Sequence, residues 1–199
     1  MNRFHRWYCR SDFWRRTVER RLLPWVLDDR TLDGLEGDLL EVGPGPGVVT
    51  DILRRSPCRL TSLEIDPALA QALRAQFSES EVTVVEGDAT KMPFENARFS
   101  IALSMTMLHH VPSPDLQDHL LREVHRVLRP GGLFMGSDSR SDGLFEIAHW
   151  RDTLVPVEPA SFGERLEAAG FEEISVESAR KAFRFRARRP RPGPSGPTP

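Results

Sequence analysis

The apolar positions change rhythm along this chain. Over residues 14–27, WRRTVERRLLPWVL, Trp14, Val18 and Leu22 recur at i, i+4 and i+8, the spacing of one helix face, and Pro24 is expected to interrupt that helix. From Leu39 short apolar runs alternate with helical ones: LLEVG, VVTDILRR, RLTSLEID, PALAQALRAQF and VTVVEGD. Strand and helix in this alternation predict a parallel sheet with crossover helices, an α/β architecture.

Punctuation sharpens the picture. Asp66-Pro67 and Ser113-Pro114 each place a capping side chain before a proline at the first helical position. The second pair opens SPDLQDHLLREVHRVLRPGG, where Leu116, Leu120, Val124, Val127 and Leu128 form one apolar face and Pro130, Gly131 and Gly132 end it before a strand LFMGS. Ser161 with Glu164 three residues on reads as a capping box for a helix over 162–169, stopped by Gly170. Two strands follow, EISVES and AFRFRAR. In the latter, Phe183, Phe185 and Ala187 alternate with Arg184, Arg186 and Arg188, so the arginine side is expected to face solvent. The chain then divides into an N-terminal helical arm (1–35), one α/β domain (36–189) and a Pro/Gly-rich disordered tail (190–199), with the irregular stretch 139–160 as a substrate-side insertion.

Composition narrows the class. With 199 residues, 39% apolar and 28% charged, the chain fits a single packed domain. No apolar run reaches the ~20 residues that span a bilayer, and the N-terminus lacks a leader pattern, so a cytoplasmic protein without membrane association is expected. Cys9 and Cys58 form no CxxC or Cys/His cluster, which points to neither a disulfide framework nor a metal site. The net charge of −2 conceals an uneven distribution: +4 over residues 1–30, +7 over 180–199 and −13 between them. Basic ends suit either an anionic partner such as nucleic acid or simple solubilisation in a chain with 25 Arg and 2 Lys; the second reading is preferred.

Candidate chemistry begins at Leu39-Leu40-Glu41-Val42-Gly43-Pro44-Gly45-Pro46-Gly47, an apolar strand running into a glycine-rich turn that opens a helix. Such a turn lets backbone approach a ligand closely at the carboxyl edge of the sheet, although a purely structural turn uses the same residues. The dinucleotide fingerprint G-x-G-x-x-G fails, because its third glycine would stand where Val48 is. Glu64 ends the second strand, where a carboxylate can accept ribose hydroxyls, while Asp66 is read as a helix cap; Gly87-Asp88-Ala89 ends the third strand. Glu41, Glu64 and Asp88 at three successive strand ends make a poor cradle for pyrophosphate and a good one for a cationic ligand with a ribose and an amine.

In these segments the chain resembles the class I S-adenosylmethionine-dependent methyltransferases, through LLEVGPGPG, SLEID, VEGDATKMPFENARFSIALSMTMLHHV and VLRPGGLFMGSD, over roughly residues 38–180. The resemblance implies a doubly wound, mostly parallel seven-stranded sheet of Rossmann-like form with an antiparallel last strand. It implies S-adenosylmethionine as cofactor, with Gly43, Gly45 and Gly47 under its methionine part and Glu41 beneath its amino end. It further implies that Glu64 holds the ribose, Ile65 packs on adenine, Asp88 and the Ala89 amide read the adenine edge, and Ser104 and Met105 flank the sulfonium side. One departure is Phe99-Ser100, where members often carry Phe-Asp; it is remote from the cofactor.

No catalytic residue is assigned, since a sulfonium already activates its methyl group and the protein's main task is positioning. His109 and His110 read as packed or capping residues before general base, His149 and Asp152 as substrate contacts, and Tyr8 and His5 as a surface arm. Ser104-Met105-Thr106-Met107 replaces the Asn/Asp-Pro-Pro-aromatic segment of amino-group methyltransferases acting on nucleic acid bases. A small-molecule acceptor, methylated at oxygen or carbon, is therefore the expectation. The alternatives are a nucleic-acid or protein methyltransferase using the basic ends, and a non-catalytic S-adenosylmethionine binder.

Overall fold

The computed structural model describes residues 11–28, 31–140 and 153–192; His5, Tyr8, Cys9, His149, Asp152 and most of the C-terminal tail lie outside them. Seven strands form one sheet: β1 (Asp38–Val42), β2 (Arg59–Glu64), β3 (Thr83–Glu86), β4 (Phe99–Met105), β5 (Leu128–Ser139), β6 (Glu172–Ser178) and β7 (Ala182–Arg188). Their order is β3-β2-β1-β4-β5-β7-β6. β1 pairs in parallel with both β2 and β4, and β7 runs antiparallel to β5 and β6. The chain therefore winds outward from β1 and then crosses back to β4. That reversal opens a crevice at the carboxyl ends of the strands, where ligands bind in open α/β sheets.

Alternation along the central strands feeds two cores. Leu40, Ala102 and Phe134 point to one face, packed with α4 (Pro114–Val127) and α5 (Pro159–Ala168) through Leu120, Leu121, Val124, Phe162 and Leu166. Leu39, Ile101, Leu103, Leu133 and Met135 point to the other, which α2 (Val48–Leu53) and the N-terminal helix α1 (residues 12–27) cover. A further helix, α3 (Pro67–Gln76), buries Leu69, Ala70 and Leu73. No helix among the described residues is long and apolar enough to cross a membrane.

Several expectations change. Pro24 does not interrupt α1, which runs as an α-helical segment Asp12–Thr17, a π-helical turn Val18–Leu22 and a second α-helical segment Leu23–Leu27. The wider turn takes up the break that a proline, lacking an N–H, makes in the bond ladder. Val18, Leu23, Val26 and Leu27 are thereby buried against the sheet. The capping box at Ser161 is absent: α5 begins at Pro159 after Glu158, and the Ser161 hydroxyl donates back to the Glu158 carbonyl. Its stop is as expected, for Gly170 at φ 97° and Phe171 donate to the Glu167 and Leu166 carbonyls. β5 starts directly after α4 and carries Pro130-Gly131-Gly132 as an irregularity, Leu128 pairing with Phe99 and Leu133 with Ile101.

The arginines of β7 do not simply face solvent. Arg184 donates to the Trp25 carbonyl and pairs with Asp28 and Glu177, Arg186 pairs with Asp28, and Arg188 pairs with Glu173. Arg189 donates to the carbonyls of His125, Arg126 and Leu128 at the end of α4, where a cation complements the helix terminus. Asp66 and Ser113 cap α3 and α4 as expected, accepting from Ala68 and Leu69 and from Leu116.

Candidate functional site

β1 delivers Glu41 and the turn that follows it. Glu41 is 2% exposed; its Oε2 accepts the Thr50 and Ser62 hydroxyls, both at 2.7 Å, and its Oε1 has no partner. Burial pushes its carboxyl up to about 7 against those two hydrogen bonds, and the nearby Glu64 carboxylate adds to the rise. Gly43 lies at φ 69°, and a Cβ there would sit 2.2 Å from Met107 Cγ, so this position takes only glycine.

β2 delivers Glu64, whose carboxylate ties two loops together. Oε2 accepts the Gly45 N–H at 3.0 Å and Oε1 the Asp66 N–H at 2.9 Å. Burial again raises its carboxyl above the ordinary range. Next to it Ile65 stands 65% exposed, an apolar side chain left outside the core at the edge of the crevice. Beyond β3, Asp88 accepts the N–H and hydroxyl of Thr90, both at 2.8 Å, which fixes the turn carrying Ala89.

β4 ends at Met105, and the chain turns sharply. Thr106 has φ 51°, a left-handed conformation costly for a β-branched residue, and its N–H is held by the Ser137 carbonyl at 2.7 Å. A short 3-10 turn, Leu108–His110, follows. Asp138 at the end of β5 accepts the His109 backbone N–H and faces its imidazole Nδ1 at 2.5 Å, both side chains buried. The returning segment is tied to the same turn: the Val155 N–H donates to the His109 carbonyl, and Gln117 donates to the carbonyls of Leu108 and Val155.

These loops enclose a cavity of about 350 Å³, within the range of small-molecule sites. Of the anticipated residues, Glu41, Gly43, Gly45, Glu64, Ile65, Asp88, Ala89 and Met105 line it. Gly47 and Ser104 do not. Gly47 takes φ 85° as the residue before α2 and packs on Leu73, where a Cβ would lie 2.6 Å from Cδ2. Ser104 is fully buried within β4, paired with Val42 and Gly136. Alternation along β4 puts the neighbouring Ser104 and Met105 side chains on opposite faces of the sheet, and of the two Met105 lines the cavity.

Other lining residues escaped the sequence. Trp14 and Leu116 fit helix-face patterns and read as core, yet both reach the cavity, Leu116 at 37% exposure. Thr106, Met107 and Thr153 carry no motif, while His110 lines the cavity and His109 stands behind it. The lining holds Glu41, Glu64, Asp66 and Asp88 and, among the described residues, no Lys or Arg. A cationic ligand is favoured there and a polyphosphate disfavoured.

Comparison with known proteins agrees with this geometry. The methyltransferase domain family model matches residues 40–136. The chain is 33% identical over 139 residues to a probable phthiotriol/phenolphthiotriol dimycocerosates methyltransferase of Mycobacterium ulcerans, covering 69% of this chain and 47% of that protein. It is 31% identical over 138 residues to a fatty-acid O-methyltransferase of Mycolicibacterium smegmatis, covering 68% of this chain and 48% of that protein. The chain thus spans about half the length of these curated relatives. A crystal structure from Pyrococcus horikoshii OT3 shares the fold at a TM-score of 0.75 and 19% identity, covering 92% of this chain and 94% of the other. The strand order, the strand-end cavity and the family match together place this chain in the class I S-adenosylmethionine-dependent methyltransferases.

Proposed function

We propose that this chain transfers the methyl group of S-adenosylmethionine to a small-molecule acceptor. The observation that carries the reading is the cavity at the ends of β1, β2 and β3, walled by Glu41, Glu64 and Asp88 with no Lys or Arg among the described residues. In this reading Glu64 takes the ribose hydroxyls, Ile65 packs on adenine, Asp88 and the Ala89 N–H meet its polar edge, and Gly43 and Gly45 run beneath the methionine part. The unpartnered, buried Glu41 Oε1 fits a cationic amino group. When bound, the cofactor supplies a methyl already activated by its sulfonium; the chain's own residues orient and shield the reacting groups. Residues 36–189 form the catalytic domain, to which α1 contributes Trp14.

The small-molecule reading is favoured over a nucleic-acid one because Arg184, Arg186, Arg188 and Arg189 are engaged within the fold. The names of relatives, a fatty-acid O-methyltransferase and a ubiquinone biosynthesis O-methyltransferase of Xanthomonas oryzae, point the same way. The test is incubation of the full chain with methyl-labelled S-adenosylmethionine and fractionated cell extract. Label entering small molecules is expected; label confined to nucleic acid or protein, or cofactor binding without transfer to any fraction, contradicts the reading.

A further inference from the structure

The arginines of this chain fall into two sets. Those of β7 and Arg189 are engaged within the fold, whereas Arg16, Arg20 and Arg21 stand exposed on α1 and, among the described residues, meet no carboxylate or carbonyl. The helix buries Val18, Leu23, Val26 and Leu27 against the sheet and leaves Phe13, Arg16, Arg20, Arg21 and Pro24 on the outside, Phe13 at 67% exposure. Its flank is fixed to α2 by ion pairs of both senses, Arg15 with Asp51 and Glu19 with Arg55. Asp28 at its end pairs with Arg184 and Arg186, which leaves Asp12 as the one unpaired acid described on the helix. The ten residues before Ser11 add Arg3, Arg6 and Arg10 and no acid.

We infer that the outer face of α1 is a docking surface for an anionic phospholipid bilayer, with Arg16, Arg20 and Arg21 on the headgroup charges and Phe13 entering the interface. The contact is peripheral and needs no spanning helix. It stands on this surface alone and does not depend on the methyl-transfer reading. The whole chain carries a net charge of −2, so attraction to an anionic surface comes from the local patch and not from overall charge. Each arginine at an anionic leaflet adds about fivefold to affinity, and an aromatic side chain adds apolar burial at the headgroup boundary. The inner side of the same helix favours a bilayer over a nucleic acid. Trp14, next to Phe13, lines the cavity together with Met105, Met107, Val111 and Leu116. A bilayer on α1 brings an apolar phase towards that apolar wall. A polyanion led there meets Glu41, Glu64, Asp66 and Asp88 and, among the described residues, no Lys or Arg.

The test is flotation of the full chain with vesicles of phosphatidylcholine and phosphatidylglycerol, with vesicles of phosphatidylcholine alone, and with polyuridylate, each at low and at raised salt. The chain is expected on the mixed vesicles and not on the neutral ones, and its binding should weaken as salt screens the arginines. Changing Arg16, Arg20 and Arg21 together to Gln should lower affinity for the mixed vesicles about 100-fold, and each single change about fivefold. Because these side chains are exposed and make no described contact, the variants should keep the wild-type thermal transition, recorded on the same samples; the single changes carry the test if the triple variant does not fold. Absence of binding to the mixed vesicles, equal binding to neutral ones, or an affinity unchanged in the variants overturns the inference. So does binding to polyuridylate tighter than to the mixed vesicles, which would assign the patch to nucleic acid.

Discussion

The Asp138 carboxylate lies 2.5 Å from the His109 imidazole, and neither side chain reaches solvent. Two loops that leave adjacent strands are joined there, since Asp138 ends β5 and His109 follows β4. Asp138 also accepts the N–H groups of His109 and Ser139, so a single carboxylate satisfies three donors. Asp138→Asn keeps the shape and loses charge-assisted acceptance, a loss of about 1–3 kcal/mol. Thermal unfolding should therefore fall by several degrees, given about 2–4 °C per kcal/mol for a domain of this size. An unchanged transition contradicts the role assigned to the pair.

Glu41 makes stability depend on pH. Its carboxyl is raised by burial to about 7, above the ordinary 4.5, so the folded chain holds a proton that the unfolded chain releases between those values. The contribution is largest below the unfolded value and is lost as pH rises through the folded one. The shift corresponds to about 3 kcal/mol by pH 8. Glu64 acts with the same sign, whereas His125, whose basicity burial lowers, acts oppositely. Comparing the wild type with Glu41→Gln isolates the group: melting temperature measured from pH 5 to 8 should fall less in the variant. Parallel profiles would remove Glu41 as the source.

Glu64 and Asp66 are two residues apart and do different work. Glu64 holds the Gly45 turn and faces the cavity; Asp66 caps α3. Glu64→Ala should abolish or greatly weaken binding of S-adenosylhomocysteine. Asp66→Ala should lower stability by about 1 kcal/mol with little change in affinity. Calorimetry and thermal melting on both variants decide, and equal effects on affinity would show the two acids misassigned.

Much of this arrangement was legible in the chain because it rests on local rules. Alternation at Leu39, Leu40, Ala102 and Phe134, proline after a capping residue at 66–67 and 113–114, and acids at strand ends each state their own structure. What stayed hidden depended on tertiary contact. Trp14 and Leu116 have the spacing of core residues, and only packing shows that they border a cavity. The left-handed Thr106 has no sequence signal, since a β-branched residue there is disfavoured locally and is held by Ser137. Pro24 looked like a helix breaker because a π-helical turn is invisible to a period of 3.6.

The β7 arginines looked like a free basic surface because their partners, Asp28, Glu173 and Glu177, lie elsewhere in the chain. Arg184 is the most enclosed of them, at 13% side-chain exposure, and it joins the end of α1 to β6. Arg184→Ala should lower the melting temperature by several degrees, because it leaves the Trp25 carbonyl and the Glu177 carboxylate without their guanidinium donor and Asp28 with Arg186 alone. Binding of the wild type to RNA should be weak and fall steeply with salt. Salt-resistant, sequence-selective RNA binding that is lost when Arg184, Arg186, Arg188 and Arg189 are changed to Ser would contradict the structural role.

The central claim is that the cavity between Glu41, Glu64 and Asp88 is an S-adenosylmethionine site and not a dinucleotide site. Parallel calorimetric titrations of the full chain with S-adenosylhomocysteine and with NAD test it most directly. The account predicts saturable one-to-one binding of S-adenosylhomocysteine at micromolar affinity and no heat with NAD; micromolar NAD binding without measurable S-adenosylhomocysteine binding would contradict it.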